Sequence, residues 1–468
     1  MPTITTSWRR VPGAALRAAG IALACGLAAA PGCAPRPADP AVAPTAGAPS
    51  SPVATAASTP ATGTAMDEVA EAYVKLALAL GAHDPDYVDA YYGPAEWRPA
   101  EGAPRVPLEA IRGGAAALRS RVESIPAAGL DSMQRLRREY LDRQLRAMQG
   151  RVDMLGGKRF RFDEESDVLY DATAPRQDEA YYRGLLAELD RALPGSGPVP
   201  ARYEAWRSRF VIPRERLDTV FKTAIAACRE RTLPHLQLPA GESFTVEYVT
   251  DKSWSGYNWY QGNYRSLIQV NTDLPIFIDR AVDLACHEGY PGHHVYNALL
   301  EKSLVRDRGW WEFSVYPLFS PQSLIAEGSA NYGIAMAFPG EERVRFERER
   351  LFPLAGLDPA RAGEYYRVQG LADRLGYAGN EAARRYLDGE IDAAAAADWL
   401  TRYALMEPAR AQQRVRFIDK YRSYVINYNL GKDLVREYVE RQGGADPARR
   451  WEVFGELLSS PRLPSGLK

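Results

Sequence analysis

Only five histidines occur in the 468 residues, and three of them fall within the run His287-Glu288-Gly289-Tyr290-Pro291-Gly292-His293-His294. Neutral imidazoles are ligands for transition metals, and a carboxylate beside them can take a proton from water. A His-Glu pair on a helix followed by another His is the pattern in which two imidazoles hold zinc and the glutamate acts as general base. In the usual spacing the second imidazole stands four residues on, one turn along the same face. Here Pro291 occupies that position.

In an unbroken helix His293 would lie about 9 Å beyond His287 along the axis and point roughly 120° away. His294 would share the face of His287 but stand about 10.5 Å further on. Neither pair could share one ion. Pro291 lacks an N–H and its ring opposes the carbonyl of residue 287, while Gly292 accepts conformations closed to other residues. The spacing therefore predicts a bulge that shortens the reach from His287 to His293. Ile276, Phe277, Ala281, Leu284 and Ala285 mark an amphipathic helix running into the motif after Pro275.

The H-E-x-x-P-G-H-H run resembles the motif of a bacterial family, many of whose members are lipoproteins, long held as a domain of unknown function and similar to gluzincin zinc peptidases. In that pattern the first histidine after Pro-Gly is the fixed one, so the resemblance favours His293 over His294 as ligand. Gluzincins take a third ligand from a glutamate on a following helix, commonly within E-G-x-A. Ile325-Ala326-Glu327-Gly328-Ser329-Ala330-Asn331-Tyr332 resembles the family's E-G-W-A-x-Y block, with Ser329 where the family has tryptophan. The resemblance thus implies Glu327. Ser320-Pro321 would open its helix and Pro339-Gly340 close it. Gly328 and Ala330 are small enough to let it lie against the histidine helix, and a carboxylate among Leu324, Ala326, Ala330 and Ile334 needs a partner. Glu301 and Glu312 are nearer rivals. Glu301 falls roughly 12 Å beyond His293 along the axis, and Glu312 lies in an aromatic stretch without small neighbours.

Two histidines and one carboxylate leave a fourth position for water, as in catalytic rather than structural zinc sites. Glu288 would then take the proton of the attacking water and deliver it to the leaving amine, which is peptide hydrolysis. The alternative is an envelope lipoprotein whose zinc-stabilised helical scaffold serves binding. Glu288 discriminates, since a structural site needs no base.

Tyr421, Tyr424 and Tyr428 share one helical face, and core packing accounts equally well for the first two. Tyr428-Asn429-Leu430-Gly431 resembles the family's Y-x-x-G element, with Arg436 where an arginine follows. The resemblance implies Tyr428 as oxyanion donor. Arg436 would hold a substrate carboxylate or else pair with Glu437 or Glu440 on its own helix. Trp254 to Tyr264 concentrates aromatics, Tyr257 among them, in a Gly-bearing loop before Leu267–Asn271. Gluzincins pair an extended substrate with an edge strand, so the resemblance makes Leu267–Asn271 that strand, with Tyr257 and Asn271 as substrate contacts and aromatic packing as the alternative. Cys286 would point about 100° from His287 and reads as a buried filler, with a bridge to Cys228 left open.

The elements that must position these residues are helical. Val69, Tyr73, Leu76 and Leu80 keep a three-to-four residue period, as do Leu136, Tyr140, Leu145 and Met148, and later Trp399, Tyr403 and Leu405. Alternation over Phe244–Val249 and Leu267–Val270 predicts short strands. The expected fold is mainly α, a large helical metallopeptidase-like body with a small β element near the active site.

Residues 1–33 read as a signal peptide, basic at Arg9, Arg10 and Arg17 and apolar from Ala18 to Ala30, too short to span a membrane. Ala30-Pro31-Gly32-Cys33 resembles a lipobox, implying lipidation at Cys33. Residues 34–65 form an Ala/Pro/Ser/Thr linker that reads as disordered, and 66–468 the gluzincin-like catalytic body. The expected location is the cell envelope, anchored by lipid and facing the periplasm or exterior. A balance of 58 basic against 59 acidic residues gives no reason to expect nucleic acid or an anionic surface as partner, leaving a peptide or peptide-like substrate.

Overall fold

The computed structural model describes residues 6–8, 61–252 and 254–468, with side chains from residue 65 onward. Cys33 and most of the leader and linker lie outside these residues. The described chain is mainly helical. Helix α1 (Ala61–Gly81) starts ahead of the expected residue 66 and buries Val69, Tyr73 and Leu80, the stripe read from the sequence. It packs on α2 (Leu108–Ser124) and α3 (Ser132–Leu155). Ile111, Ala115, Leu118 and Val122 supply the apolar face of α2. Asp131 and Gln134 form a capping box that starts α3, satisfying two backbone donors reciprocally. Trp399 and Tyr403 lie on one helix (Ala393–Tyr403), whereas Leu405 falls past its end at φ +55°.

The four-stranded sheet runs β1-β3-β5-β4, from β1 (Thr6–Trp8), β3 (Ser243–Val249), β4 (Gly256–Gly262) and β5 (Arg265–Asn271). A separate pair joins β2 (Val88–Tyr91) to β6 (Val315–Pro317). Two expectations need correction. The aromatic stretch is a strand, not a loop: Asn258 and Tyr260 face inward, while Trp259 and Gln261 face out. Its turn into β5 uses Asn263 and Tyr264 at φ +52° and +60°, the left-handed pair of a tight hairpin. Further, β5 lies between β3 and β4, so both its edges are paired and it cannot take an added strand. The edge strands are β4 and, on the far side, β1.

Glu301 fixes the hairpin. Its carboxylate accepts from the Asn263 and Tyr264 amides at 3.1 and 3.3 Å and from Tyr260 Oη at 2.6 Å, and it pairs with Arg306. Glu312, buried, pairs with Arg137. Both nearer rivals of Glu327 are thereby engaged elsewhere.

Helix α7 (Pro321–Ala337) runs through the centre, apolar and buried around most of its circumference. Before it come α4 (Leu217–Thr232), α5 (Asp279–Leu284) and α6 (His293–Leu300); after it come α8 (Pro408–Tyr421) and α9 (Ile426–Gly443). Gly328 does not face the histidine segment as expected. It meets Gly431 of α9, where the two backbones touch, and a Cβ at Gly431 would stand 2.7 Å from Leu324 O. Gly333 is the residue that admits Pro291, whose Cγ would lie 3.0 Å from an added Cβ. The apolar core is continuous from Val69 to Leu467.

Candidate metal centre

The helix entering the motif does not bulge and continue. It ends: α5 passes into one wide turn, Ala285–Gly289, and α6 begins afresh at His293. Between them the Tyr290–Pro291 bond is cis, and the Gly292 amide donates to Cys286 O at 2.9 Å. Gly292 lies against the His287 carbonyl so closely that no Cβ could fit. Cys286 is not a free filler, being bonded to Cys228 of α4.

This break brings His287 Nε2 and His293 Nε2 to 3.1 Å. Glu327 Oε2, from α7, stands 3.3 Å from the first and 3.8 Å from the second. The three ligand atoms lie within 4.8 Å of one another. His294, one residue on, turns the opposite way: its ring meets Glu242 Oε2 at 3.0 Å and Ser266 Oγ at 2.9 Å. Tyr290 Oη and Arg229 also donate to Glu242. His294 thus braces the break against the sheet.

Glu327 Oε2 is buried and accepts no hydrogen bond of adequate geometry, although both imidazoles face it. Two ring nitrogens and one bare carboxylate oxygen converging within the fold form a donor set that fits a divalent metal of the zinc class. Burial opposes charge on His293, yet Glu327, Glu288 and Asp89 raise its pKa to about 9. Burial likewise opposes charge on Glu327, and the two imidazoles hold its pKa well below the carboxylate range. Tyr424 Oη donates to Glu327 Oε1 at 2.8 Å and orients it. Asn331 Nδ2 ties the Glu327 and Tyr428 carbonyls together at 3.0 and 3.3 Å.

Glu288 is buried, and its carboxylate makes no hydrogen bond among the described residues. Asn258 Nδ2 holds its backbone carbonyl at 2.7 Å. Gly256, at the start of β4, admits the carboxylate: a Cβ there would lie 3.0 Å from Oε1. Tyr428 is half-buried, stacks edge-on against Tyr424 at 5.8 Å, and has Glu327 and Glu288 as electrostatic neighbours. Burial first, and then these carboxylates, push its pKa well above 10, so the hydroxyl keeps its proton. Tyr257 Oη donates to Asp89, whose pKa burial raises to about 6.

Two expected contacts are not brought to the cluster. Asn271 Nδ2 holds the carbonyls of Lys252 and Trp254 at 3.0 and 2.9 Å, closing the loop before β4. Arg436 pairs with Asp433 at 3.0 Å and Glu437 at 3.8 Å, the same-helix alternative. Asp89 and Asn258 were not read from the sequence, where neither carries a signal. Tyr424 carried one, its spacing of four from Tyr428. Two open surface cavities, one including Lys222 and Arg231 and the other Met133 and Arg308, contain no residue of the cluster.

No protein-family model matches the chain, and no curated protein matches its sequence. Among solved structures it is similar to a protein described as a lipoprotein from Colwellia psychrerythraea, at 17% identity over 80% of this chain and 69% of that one, with a TM-score of 0.46. A metallocarboxypeptidase from Trypanosoma cruzi aligns at 14% identity over 85% and 90% of the two chains, with a TM-score of 0.43. Another protein described as a lipoprotein, of unknown function, from Shewanella oneidensis aligns at 14% over 75% and 72%, with a TM-score of 0.40. These likenesses are distant, and function must be argued from the side chains.

Proposed function

We propose that this chain is a zinc-dependent hydrolase of peptide bonds, with His287, His293 and Glu327 holding the metal. The observation that carries this reading is the bare, buried Glu327 oxygen facing two imidazole nitrogens from separate helices. Bound there, zinc supplies Lewis acidity to a substrate carbonyl and lowers the pKa of water.

The chain's own residues supply the rest. Glu288, unpartnered beside the ligand pair, takes a proton from the attacking water at its carboxylate and returns it to the departing amine. Tyr428, held protonated, donates its hydroxyl toward the oxyanion that develops on the carbonyl. Tyr424 and Asn331 keep Glu327 in place, and His294 keeps the break rigid. The exposed edge of β4, beginning beside Glu288, offers unpaired backbone groups to an extended substrate. The substrate is a peptide or peptide-like amide. Residues 1–33 serve as export signal with Cys33 lipidated, and 34–65 as tether for the body 66–468. No helix among the described residues is long and apolar enough to cross a membrane, which leaves lipid as the anchor in this scheme.

The test is Glu288→Gln. The variant should retain zinc, measured by atomic absorption, while release of amino groups from a mixed peptide library falls by at least a thousandfold, on the order of what a general base and its water are worth. Parallel loss of zinc and activity would make Glu288 a ligand or folding residue. Retained turnover would remove it from the reaction.

A further inference from the structure

Arg410 and Arg414 stand one turn apart on the same face of α8, and both are half-buried. Among the described residues neither guanidinium pairs with a carboxylate, the Glu407 carboxylate taking only the Arg410 backbone amide at 3.3 Å. Arg410 Nη2 reaches Ser255 Oγ at 3.4 Å, and Arg414 lies over the rings of Phe417 and Tyr428 at 4.5 and 5.6 Å. Arg280 and Arg207 add their positive field around Arg410, and Glu204 opposes it more weakly; the two arginines each have an acid of their own, Asp283 at 3.2 Å and Asp279 at 4.0 Å.

Among the described residues the two fully buried arginines, Arg137 and Arg384, are each held by two acids, and half-buried Arg343 likewise, whereas half-buried Arg231 lies over Phe338 and Phe346 without one. Arg137 holds Glu312 and Asp67, Arg343 holds Asp283 and Glu347, and Arg384 holds Asp163 and Glu381. Two like charges on adjacent turns, partly withdrawn from water and with no ion pair at either guanidinium, repel one another and call for an anion.

Their position says which anion. Ser255 precedes Gly256, where an added Cβ would stand 3.0 Å from Glu288 Oε1. Tyr428, under Arg414, stacks on the tyrosine that orients Glu327. The two guanidinium groups are therefore a few extended residues from the base and the ligands.

We propose that Arg410 and Arg414 form a subsite that seats the C-terminal carboxylate of a peptide, so that cleavage falls close to the carboxyl end. This assignment rests on the hydrolase reading above. Each guanidinium presents parallel N–H donors matched to a carboxylate, and Ser255 Oγ adds a hydroxyl. In the reaction the C–N bond breaks, water's oxygen joins the acyl carbon to leave a carboxylate, and both of its protons go to the departing nitrogen, which leaves as an ammonium. An acidic side chain presents the same chemistry as a terminal carboxylate, so the experiment separates the two.

Binding is measured by calorimetry on the zinc-loaded Glu288→Gln protein, with three probes: a neutral N-acetylated tripeptide as free acid, its C-terminal amide, and the amide with one residue replaced by glutamate. The neutral free acid should bind at least tenfold tighter than its amide, and Arg410→Gln or Arg414→Gln should abolish that advantage while leaving the amide's affinity unchanged. In proteins with Glu288 intact, the same arginine changes should raise KM for free acids more than they lower kcat. Equal affinity for acid and amide overturns the subsite. A preference for the glutamate-bearing amide over the neutral acid overturns the terminal assignment. Arginine-dependent preference for the free acid without any cleavage by the unaltered protein upholds the subsite and sinks the hydrolase reading instead. Should an arginine variant fail to fold, the acid-against-amide comparison on the intact arginine face decides alone.

Discussion

At the scale of single residues, adjacent histidines have opposite duties because their rings meet different partners. His294 is fully buried between Glu242 and Ser266, while His293 faces His287 and Glu327. Removing His294 leaves a buried carboxylate and hydroxyl short of a partner, so His294→Ala should cost about 2–3 kcal/mol in urea unfolding yet keep the metal in its folded fraction. His293→Ala should lose the metal with a smaller stability change. The reverse ranking would overturn the assignment of His293. The His-Glu pair, Pro291 and Gly292 announced themselves in the sequence because their chemistry is local. Asn271 and Arg436 were placed by resemblance, but each has a nearer partner, the carbonyls of Lys252 and Trp254 in one case and Asp433 in the other. Tyr424 read as packing because a ring on an apolar stripe looks the same whether or not its hydroxyl finds a carboxylate.

Among the elements, the crossing of α7 and α9 sets where Glu327 and Tyr428 stand relative to one another. Gly328 and Gly431 permit backbone contact there, so Gly431→Ala must push α9 outward by a few tenths of an ångström or more. We expect a loss of about 1–3 kcal/mol, the usual range for overpacking, together with weaker metal binding in an indicator titration. Unchanged stability and affinity would show the crossing to be compliant. Helices were legible from their periodicity, since α1 and α3 bury most of the residues the spacing marked, Leu76 and Leu136 staying half-buried. Strand order was not. That β5 lies between β3 and β4 depends on pairings that no local pattern encodes, and β4 itself was obscured by aromatics and glycines that serve loops as readily as edges.

For the whole molecule, acid groups buried away from the metal cluster set how stability follows pH. Glu347 is fully buried beside Arg343, and burial outweighs that neighbour to raise its pKa from 4.5 to about 7. The fold therefore prefers the protonated form. Its contribution is fully present below about 4.5 and is lost as pH rises through about 7, a change on the order of 3 kcal/mol. Glu347→Gln should flatten the decline in urea midpoint across that window, and an identical pH profile in variant and parent would remove Glu347 as its source. The placement of Glu327 on the central helix has a consequence of a different kind, one of timing. His287 and His293 are neighbours in the chain and can meet early, whereas Glu327 reaches them only when α7 is seated in the core. On the proposed zinc reading, tight capture of the ion would come late in folding, and a refolding chain should withdraw zinc from an indicator dye only in step with the last burial of tryptophan. Capture that precedes core formation would refute this order. If the order holds, the ion acts as an inspector of the finished fold rather than its founder.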